Sequence, residues 1–274
     1  NENFEFYGKT LSGIEKMKDR WKRVVNTESD CLGEIVGEMF VKKYFPPEAK
    51  EKMLKLVANL KTALEQRIKG LTWMSEATKA KAAEKLAKMN VKIGYPDKWR
   101  DYSKLEITTD SYVMNVLRAN KFDFEFEIAK IGKPVDRAEW QMTPQTVNAY
   151  YNPNMNEIVF PAAILQPPFF YMNADDAVNY GGIGVVIGHE MTHGFDDQGR
   201  QYDKDGNLQD WWTKEDANNF DAKVGLLVVQ ADNYVELDSL HLNGKLTLCE
   251  NIADFGGLTV SLTALKNVLS DKLD

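Results

Sequence analysis

The run Val185-Val186-Ile187-Gly188-His189-Glu190-Met191-Thr192-His193 constrains this chain more than any other stretch. Residues four apart on a helix share a face, so a helical reading aims the His189 and His193 imidazoles at one point. Glu190 then sits beside that point, placed to orient a water without binding a metal itself. Two neutral imidazoles suit zinc, and a third protein ligand leaves a fourth position open for water or substrate. That pattern points to hydrolytic chemistry. The segment is a poor helix by propensity, because Gly181, Gly182, Gly184 and Gly188 alternate with β-branched residues. Its apolar residues run all round, which requires burial on every side. One rival is a phosphate-cradling glycine loop, but the glycines at 182, 184 and 188 miss the GxGxxG spacing by one and no strand precedes them. Another is a pair of ordinary core imidazoles. Against it, the chain has 3 histidines, and two of them stand at i,i+4 around a glutamate.

A third ligand decides the subclass. The extended pattern HExxHxxGxxH needs glycine at position 196 and histidine at position 199; Asp196 and Gly199 stand there, which excludes it. Glu250 is the best remaining candidate. Asp254 lies four residues on, on the same helical face, where it can accept the free N–H of a ligating histidine. Thr247-x-x-Glu250 is equally a capping-box pattern, in which Glu250 serves only its own helix, and the residues alone leave both readings open. Asp196, three residues after His193, is either a partner for that imidazole or the polar start of a loop after Gly194. Asp203-Lys204-Asp205-Gly206 reads as a plain turn, since Gln201 and Trp212 occupy the first and twelfth positions of a calcium loop. His241, near Asn243-Gly244, reads as exposed or structural. Cys249 is assigned to packing, because a helical neighbour of Glu250 points about 100° away.

The net charge of -7, with no basic stripe, argues against nucleic acid as a partner. Cys31 and Cys249 are too far apart in sequence to indicate a disulfide framework. No apolar run approaches the roughly 18 residues of a membrane span. The first residues show no basic stretch leading into an apolar one, so no export signal is visible.

Along the chain, residues 1 to about 90 read as helical. Leu54, Val57, Leu60, Leu64 and Ile68 recur at helical spacing, Gly70 separates that helix from a second over Ser75 to Met89, and Gly94-Tyr95-Pro96-Asp97 stops the pattern. A boundary near 95 divides residues 1–95 from 96–274. Another helix is expected over Ser111 to Phe126. Two β-rich runs, Thr146 to Tyr151 and Glu157 to Phe160, flank an Asn/Pro cluster and predict a hairpin. If the strand at Asn148-Ala149 is a free edge near the metal, a peptide can add to it as an extra strand. Helices are expected from Asp175 through the histidine motif to Gly194, over Glu215 to Val229, and from Thr247 toward Leu269, with a turn at Asp203 to Asn207. The fold class is therefore mainly α with a small β-hairpin or sheet.

Several segments together resemble a known family: Asn148-Ala149-Tyr150-Tyr151-Asn152-Pro153, Phe160-Pro161-Ala162-Ala163-Ile164-Leu165-Gln166-Pro167-Pro168-Phe169-Phe170, the Gly181–Glu190 stretch, His193-Gly194-Phe195-Asp196-Asp197-Gln198-Gly199-Arg200, Asp210-Trp211-Trp212 and Glu250-Asn251-Ile252-Ala253-Asp254. Leu71-Thr72-Trp73-Met74 and Ile93-Gly94-Tyr95-Pro96-Asp97 fit the same pattern. The chain resembles neprilysin and the endothelin-converting enzymes, zinc endopeptidases whose third ligand is a glutamate. The resemblance implies one zinc per chain held by His189, His193 and Glu250, with Glu190 as general base and Asp254 and Asp196 as partners of the ligating imidazoles. It also implies Asn148 and Ala149 as the substrate's backbone anchor. Phe169, Val185 and Val186 are implied as walls of the pocket for the residue after the scissile bond, which favours cleavage of small peptides before large apolar side chains. The implied fold is a thermolysin-like zincin lobe over 96–274 with part of a helical second lobe over 1–95. The implied compartment is extracytoplasmic, with the cytoplasm as the alternative, and the few cysteines suggest a bacterial member. Cys249 stands where the family usually has glycine, and Phe255 where Asn or Leu is usual; neither is a ligand. The family's further catalytic segment, with a histidine and an arginine that stabilise the oxyanion, does not follow, so the chain is expected to be a fragment and weak or inactive alone. A noncatalytic peptide-binding module, with zinc structural or absent, is the alternative from another class, and a zinc hydrolase of non-peptide substrates a weaker one.

Overall fold

The computed structural model describes residues 2–109 and 111–270. Helices dominate, as composition and periodicity predict. They are α1 (Arg20–Tyr44), α2 (Pro47–Lys69), α3 (Glu76–Lys88), α4 (Tyr112–Ile128), α5 (Asp176–Asn179), α6 (Val185–His193), α7 (Lys214–Asp232) and α8 (Leu248–Ser270). Among the described residues five short strands join them: β1 (Asn90–Gly94), β2 (Tyr150–Asn152), β3 (Glu157–Pro161), β4 (Val235–Glu236) and β5 (Leu240–His241). None of the described helices is long and apolar enough to cross a membrane.

Backbone proximity divides the chain into two compact units: residues up to Met39 with Asp97–Ala138, and Phe40–Pro96 with Glu139–Asp274. One crossing between the units falls at Pro96–Asp97. The other crossings place α2 and α3 in the same unit as the histidine motif.

In the second unit α2 opens on Pro47 and Glu48 and closes with Arg67 and Lys69 in its last turn, charges that suit the helix dipole at each end. Met53, Leu56, Val57, Leu60, Leu64 and Ile68 form its buried stripe. Leu54, expected in that stripe, is instead 44% exposed. Gly70 caps α2, and Ser75 caps α3 by accepting from the Thr78 amide.

The expected hairpin forms, but as one edge of a three-stranded sheet in the order β1-β3-β2. β2 runs antiparallel to β3, and β1 runs parallel to it in register Asn90 with Glu157 through Gly94 with Pro161. β3 is buried along its whole length. That burial is tolerable for Glu157 because Lys92 from β1 reaches it at 2.8 Å. Strand β2 starts at Tyr150, so Asn148 and Ala149 lie in the segment leading into the edge strand and not in the strand itself. The single helix expected from Asp175 to Gly194 is three pieces: α5, a π-helical turn over Tyr180–Gly184, and α6.

The N-termini of α3 and α7 are joined through Asp216. Its carboxylate accepts from the Ser75 amide (2.8 Å), the Ser75 hydroxyl (2.5 Å), the Thr78 hydroxyl (2.6 Å) and the Thr213 hydroxyl (2.6 Å). Burial pushes this carboxyl up, but the hydrogen bonds from Ser75, Thr213 and Thr78 outweigh it and hold it down at about 2. A folded pKa below the unfolded one stabilises the fold above the unfolded value, and the gain is lost as pH falls through the folded value. Asp216→Asn is therefore expected to cost about 2 kcal/mol at pH 7. It should also remove most of the stability change between about pH 4 and pH 2. Denaturant titrations of parent and variant at pH 7 and in that acid window check both; parallel curves would refute the assignment.

Candidate metal centre

The motif histidines lie on α6, which packs most extensively against α8. The two helices approach closely because glycine faces glycine. A Cβ on Gly188 would stand 2.9 Å from the Gly257 Cα and carbonyl oxygen, and one on Gly257 would stand 2.5 Å from the Val185 carbonyl oxygen. This explains a helix that propensity alone disfavours. The glycines that weaken α6 in isolation let α8 come near enough to place Glu250 and Asp254 beside the imidazoles. The preceding π-helical turn, of a kind frequent at functional sites, has its Tyr180 carbonyl satisfied by the Ser261 hydroxyl of α8 at 2.5 Å.

Three side chains converge. His189 Nε2 lies 2.9 Å from His193 Nε2, and Glu250 Oε2 lies 3.3 Å from the first and 3.7 Å from the second. On the opposite side of each ring, His189 Nδ1 is 2.8 Å from Asp254 Oδ1, and His193 Nδ1 is 2.7 Å from Asp196 Oδ2. Ionised carboxylates only accept hydrogen bonds, so this arrangement places the ring protons on Nδ1. It leaves two Nε2 lone pairs and a carboxylate oxygen facing one another. Such a trio repels itself unless a cation lies at its centre. Ligands about 2.1 Å from a tetrahedral zinc stand about 3.4 Å apart, and the observed separations bracket that spacing. The donor set, two imidazoles and one carboxylate, fits zinc.

Glu190 also lies within 4.8 Å of the imidazole nitrogens, so proximity alone does not select the third ligand. Direction does. Glu190 is buried and takes a hydrogen bond from the Tyr151 amide on edge strand β2, whereas Glu250 is 61% exposed and turned toward both Nε2 atoms. Burial raises the Glu190 carboxyl above its ordinary value, with the Glu250 charge adding to the rise and the two histidines opposing it. At His193 burial opposes the charged form, but the hydrogen bond to Asp196 and the charges of Asp196, Glu190 and Glu250 leave its pKa raised. The capping-box alternative for Glu250 is not what forms: the Thr247 hydroxyl is engaged by Asn251 Nδ2 and the Thr247 carbonyl by the Asn251 amide.

The structure thus brings together His189, His193, Glu190, Glu250, Asp254 and Asp196, with Ala149 buried and Asn148 exposed just before β2. Phe169, Val185 and Val186 are each half-buried. Two clefts of this unit, one of about 480 Å³ beside Tyr44, Leu165 and Phe170 and one of about 170 Å³ beside Leu64, Trp212 and Val260, include none of those three. His241 is exposed on β5, with Nδ1 against the Asp232 carbonyl, and the Cys249 thiol lies 3.9 Å from Glu250 Oε1. The sequence signal for Gly257 is the Gly256-Gly257 pair, one turn beyond Asp254 and two beyond Glu250, on a helix that must meet a glycine-rich one.

Peptidase family M13 matches the chain twice, through one sequence model over residues 148–274 and an N-terminal one over residues 1–96. The chain belongs to peptidase family M13. An endothelin-converting enzyme homolog of Locusta migratoria is 41% identical over 263 residues, covering 93% of this chain and 36% of that protein. Neprilysin of Mus musculus is 40% identical over 276 residues, covering 97% of this chain and 37% of the mouse protein. The zinc metalloprotease Zmp1 of Mycobacterium tuberculosis, solved with an inhibitor, superposes with a TM-score of 0.91 at 51% identity, covering 98% of this chain and 41% of that one. The chain spans just over a third of the length of the curated relatives it matches.

Proposed function

We propose that the protein carrying these residues is a zinc-dependent endopeptidase acting on small peptides. The observation that supports this reading most is the convergence of His189 Nε2, His193 Nε2 and Glu250 Oε2 beside a buried Glu190. His189, His193 and Glu250 hold the ion, and Asp254 and Asp196 fix the imidazole tautomers by accepting their Nδ1 protons. Zinc, when bound, supplies a Lewis acid that polarises a carbonyl and makes water more acidic. Glu190 takes a proton from the attacking water as its oxygen bonds to the peptide carbonyl carbon. The same carboxyl then delivers that proton to the departing amide nitrogen as the C–N bond breaks. Asn148 and Ala149, leading into the edge strand, bind the substrate's main chain. Phe169, Val185 and Val186 receive the side chain after the scissile bond, which favours large apolar residues there.

These 274 residues alone are expected to bind zinc and to turn peptides over weakly or not at all. The test uses the full-length protein and a series of quenched peptides varied at the residue after the cleaved bond. Cleavage should be fastest before Phe and Leu, should vanish on chelation and should return with zinc. Tight peptide binding with no turnover by the zinc-loaded protein would instead indicate a noncatalytic module.

A further inference from the structure

Lys85 is completely buried on α3. Its Nζ donates to the carbonyls of Gly199 and Tyr202, each at 2.7 Å, and lies 5.9, 5.7 and 5.8 Å from the ring centres of Tyr151, Phe195 and Trp211. Burying an ammonium is costly, and a methionine would fill such an aromatic-lined space without that cost. Burial lowers its pKa to about 8, while the charges of Asp196 and Asp203 oppose the fall. Its position therefore calls for a role that an apolar side chain does not perform.

The hydrogen bonds lead from Lys85 to the metal site. Gly199, whose carbonyl Lys85 holds, donates its own N–H to Asp196 Oδ1 at 2.6 Å. The Gln198 amide donates to the same oxygen at 2.9 Å, and Asp196 Oδ2 faces His193 Nδ1 at 2.7 Å. The Gly199 backbone is packed so tightly on the His193 carbonyl that a Cβ there would overlap it. A shift of this turn therefore moves both Asp196 and the end of α6.

We propose that Lys85 is a positioning residue for the metal centre, holding the Gly199–Tyr202 turn so that Asp196 stays aligned as the acceptor for His193 Nδ1–H. Without it two carbonyls lose a charged donor, the turn loosens, and His193 no longer presents its Nε2 lone pair in a fixed direction. The inference rests on the zinc reading above. It names a residue that touches neither metal nor substrate.

The experiment measures zinc affinity of the full-length protein by competition with a chromophoric chelator, with near-ultraviolet circular dichroism to confirm folding. Lys85→Met is expected to weaken zinc binding about 10- to 100-fold, as loss of an outer-shell partner typically does. Asp196→Asn should weaken it comparably, and the double variant should be no weaker than the weaker single one, because both act through His193. A residue that merely packs would lower stability and leave zinc affinity alone. A folded Lys85→Met protein that binds zinc within twofold of the parent, or losses that multiply in the double variant, would overturn the proposal. If Lys85→Met does not fold, Lys85→Gln takes its place: its shorter, uncharged side chain removes the charged donor that the Gly199 and Tyr202 carbonyls share, so weaker zinc binding is again expected and parental affinity would overturn the proposal. A His193→Ala protein with the parent's affinity would overturn the zinc reading itself, a failure distinct from that of the Lys85 link.

Discussion

Glu190→Gln in the full-length protein is expected to lower kcat/KM by about 10³ or more while zinc content stays at one ion per chain. The substitution preserves shape and leaves an oxygen able to accept from the Tyr151 amide, so the edge strand keeps its tie to α6. What it removes is the capacity to take a proton from water and return it to nitrogen. Glutamine has no such capacity at any pH at which the fold survives. Because burial and the Glu250 charge raise the Glu190 carboxyl, the parent has a stronger base at this position than an exposed glutamate offers. Steady-state kinetics on a quenched peptide, with metal analysis of the same samples, checks both halves. Turnover within tenfold of the parent would defeat the assignment of Glu190. Loss of zinc would show that Glu190 holds the ion, which its 4.8 Å proximity to the imidazole nitrogens permits but its direction does not favour.

Gly257→Ala is expected to be the more damaging of the two methyl groups that could be added at the Gly188–Gly257 contact of α6 and α8. Its Cβ would meet the Val185 carbonyl oxygen at 2.5 Å, the His189 amide nitrogen at 2.7 Å and the His189 Cα at 3.1 Å. All three are backbone atoms of α6, so no side-chain rotation relieves the contact. The helices must separate or slide, and overpacking of this kind typically costs about 1–3 kcal/mol. Separation carries Glu250 and Asp254 away from His189 together, since all the metal-site residues of α8 move as one rigid helix. Zinc affinity should fall at least about 10-fold, with a lowered melting temperature. A melt with and without zinc distinguishes the two effects, because bound metal stabilises the parent more than the variant. Unchanged affinity would mean that the glycine contact does not set the distance between the histidine pair and Glu250.

The features legible in the sequence are those with local causes. The two imidazoles on one face of α6, the break at Gly70, the Ser111 start of α4 and the Asp203–Asn207 turn each follow from a few neighbouring residues. The features that escaped have distant ones. Strand β1 is five residues long, too short to show a period, and its partner is a parallel strand 67 positions away, with buried Lys92 made tolerable by Glu157 and the Glu139 carbonyl. The π-helical turn and the glycines of α6 make sense only once α8 is packed against them. Thr247-x-x-Glu250 allows both ligation and capping for Glu250, because both readings use the same residues, and what bears on the choice is the position of α6. Lys85 stands among the many lysines of α3, yet Thr78, Ala82, Lys85 and Leu86 share the buried helical stripe, and a cation on that stripe was the available signal.

The central claim is that three side chains from two helices meet around one zinc ion and leave one position free. Zinc-edge X-ray absorption on the zinc-loaded full-length protein, compared with Glu250→Ala, tests it most directly. The parent is expected to show two nitrogen ligands at about 2.0–2.1 Å and carboxylate oxygen at about 2.0–2.2 Å, with one protein ligand lost in the variant. An identical spectrum for Glu250→Ala would contradict it.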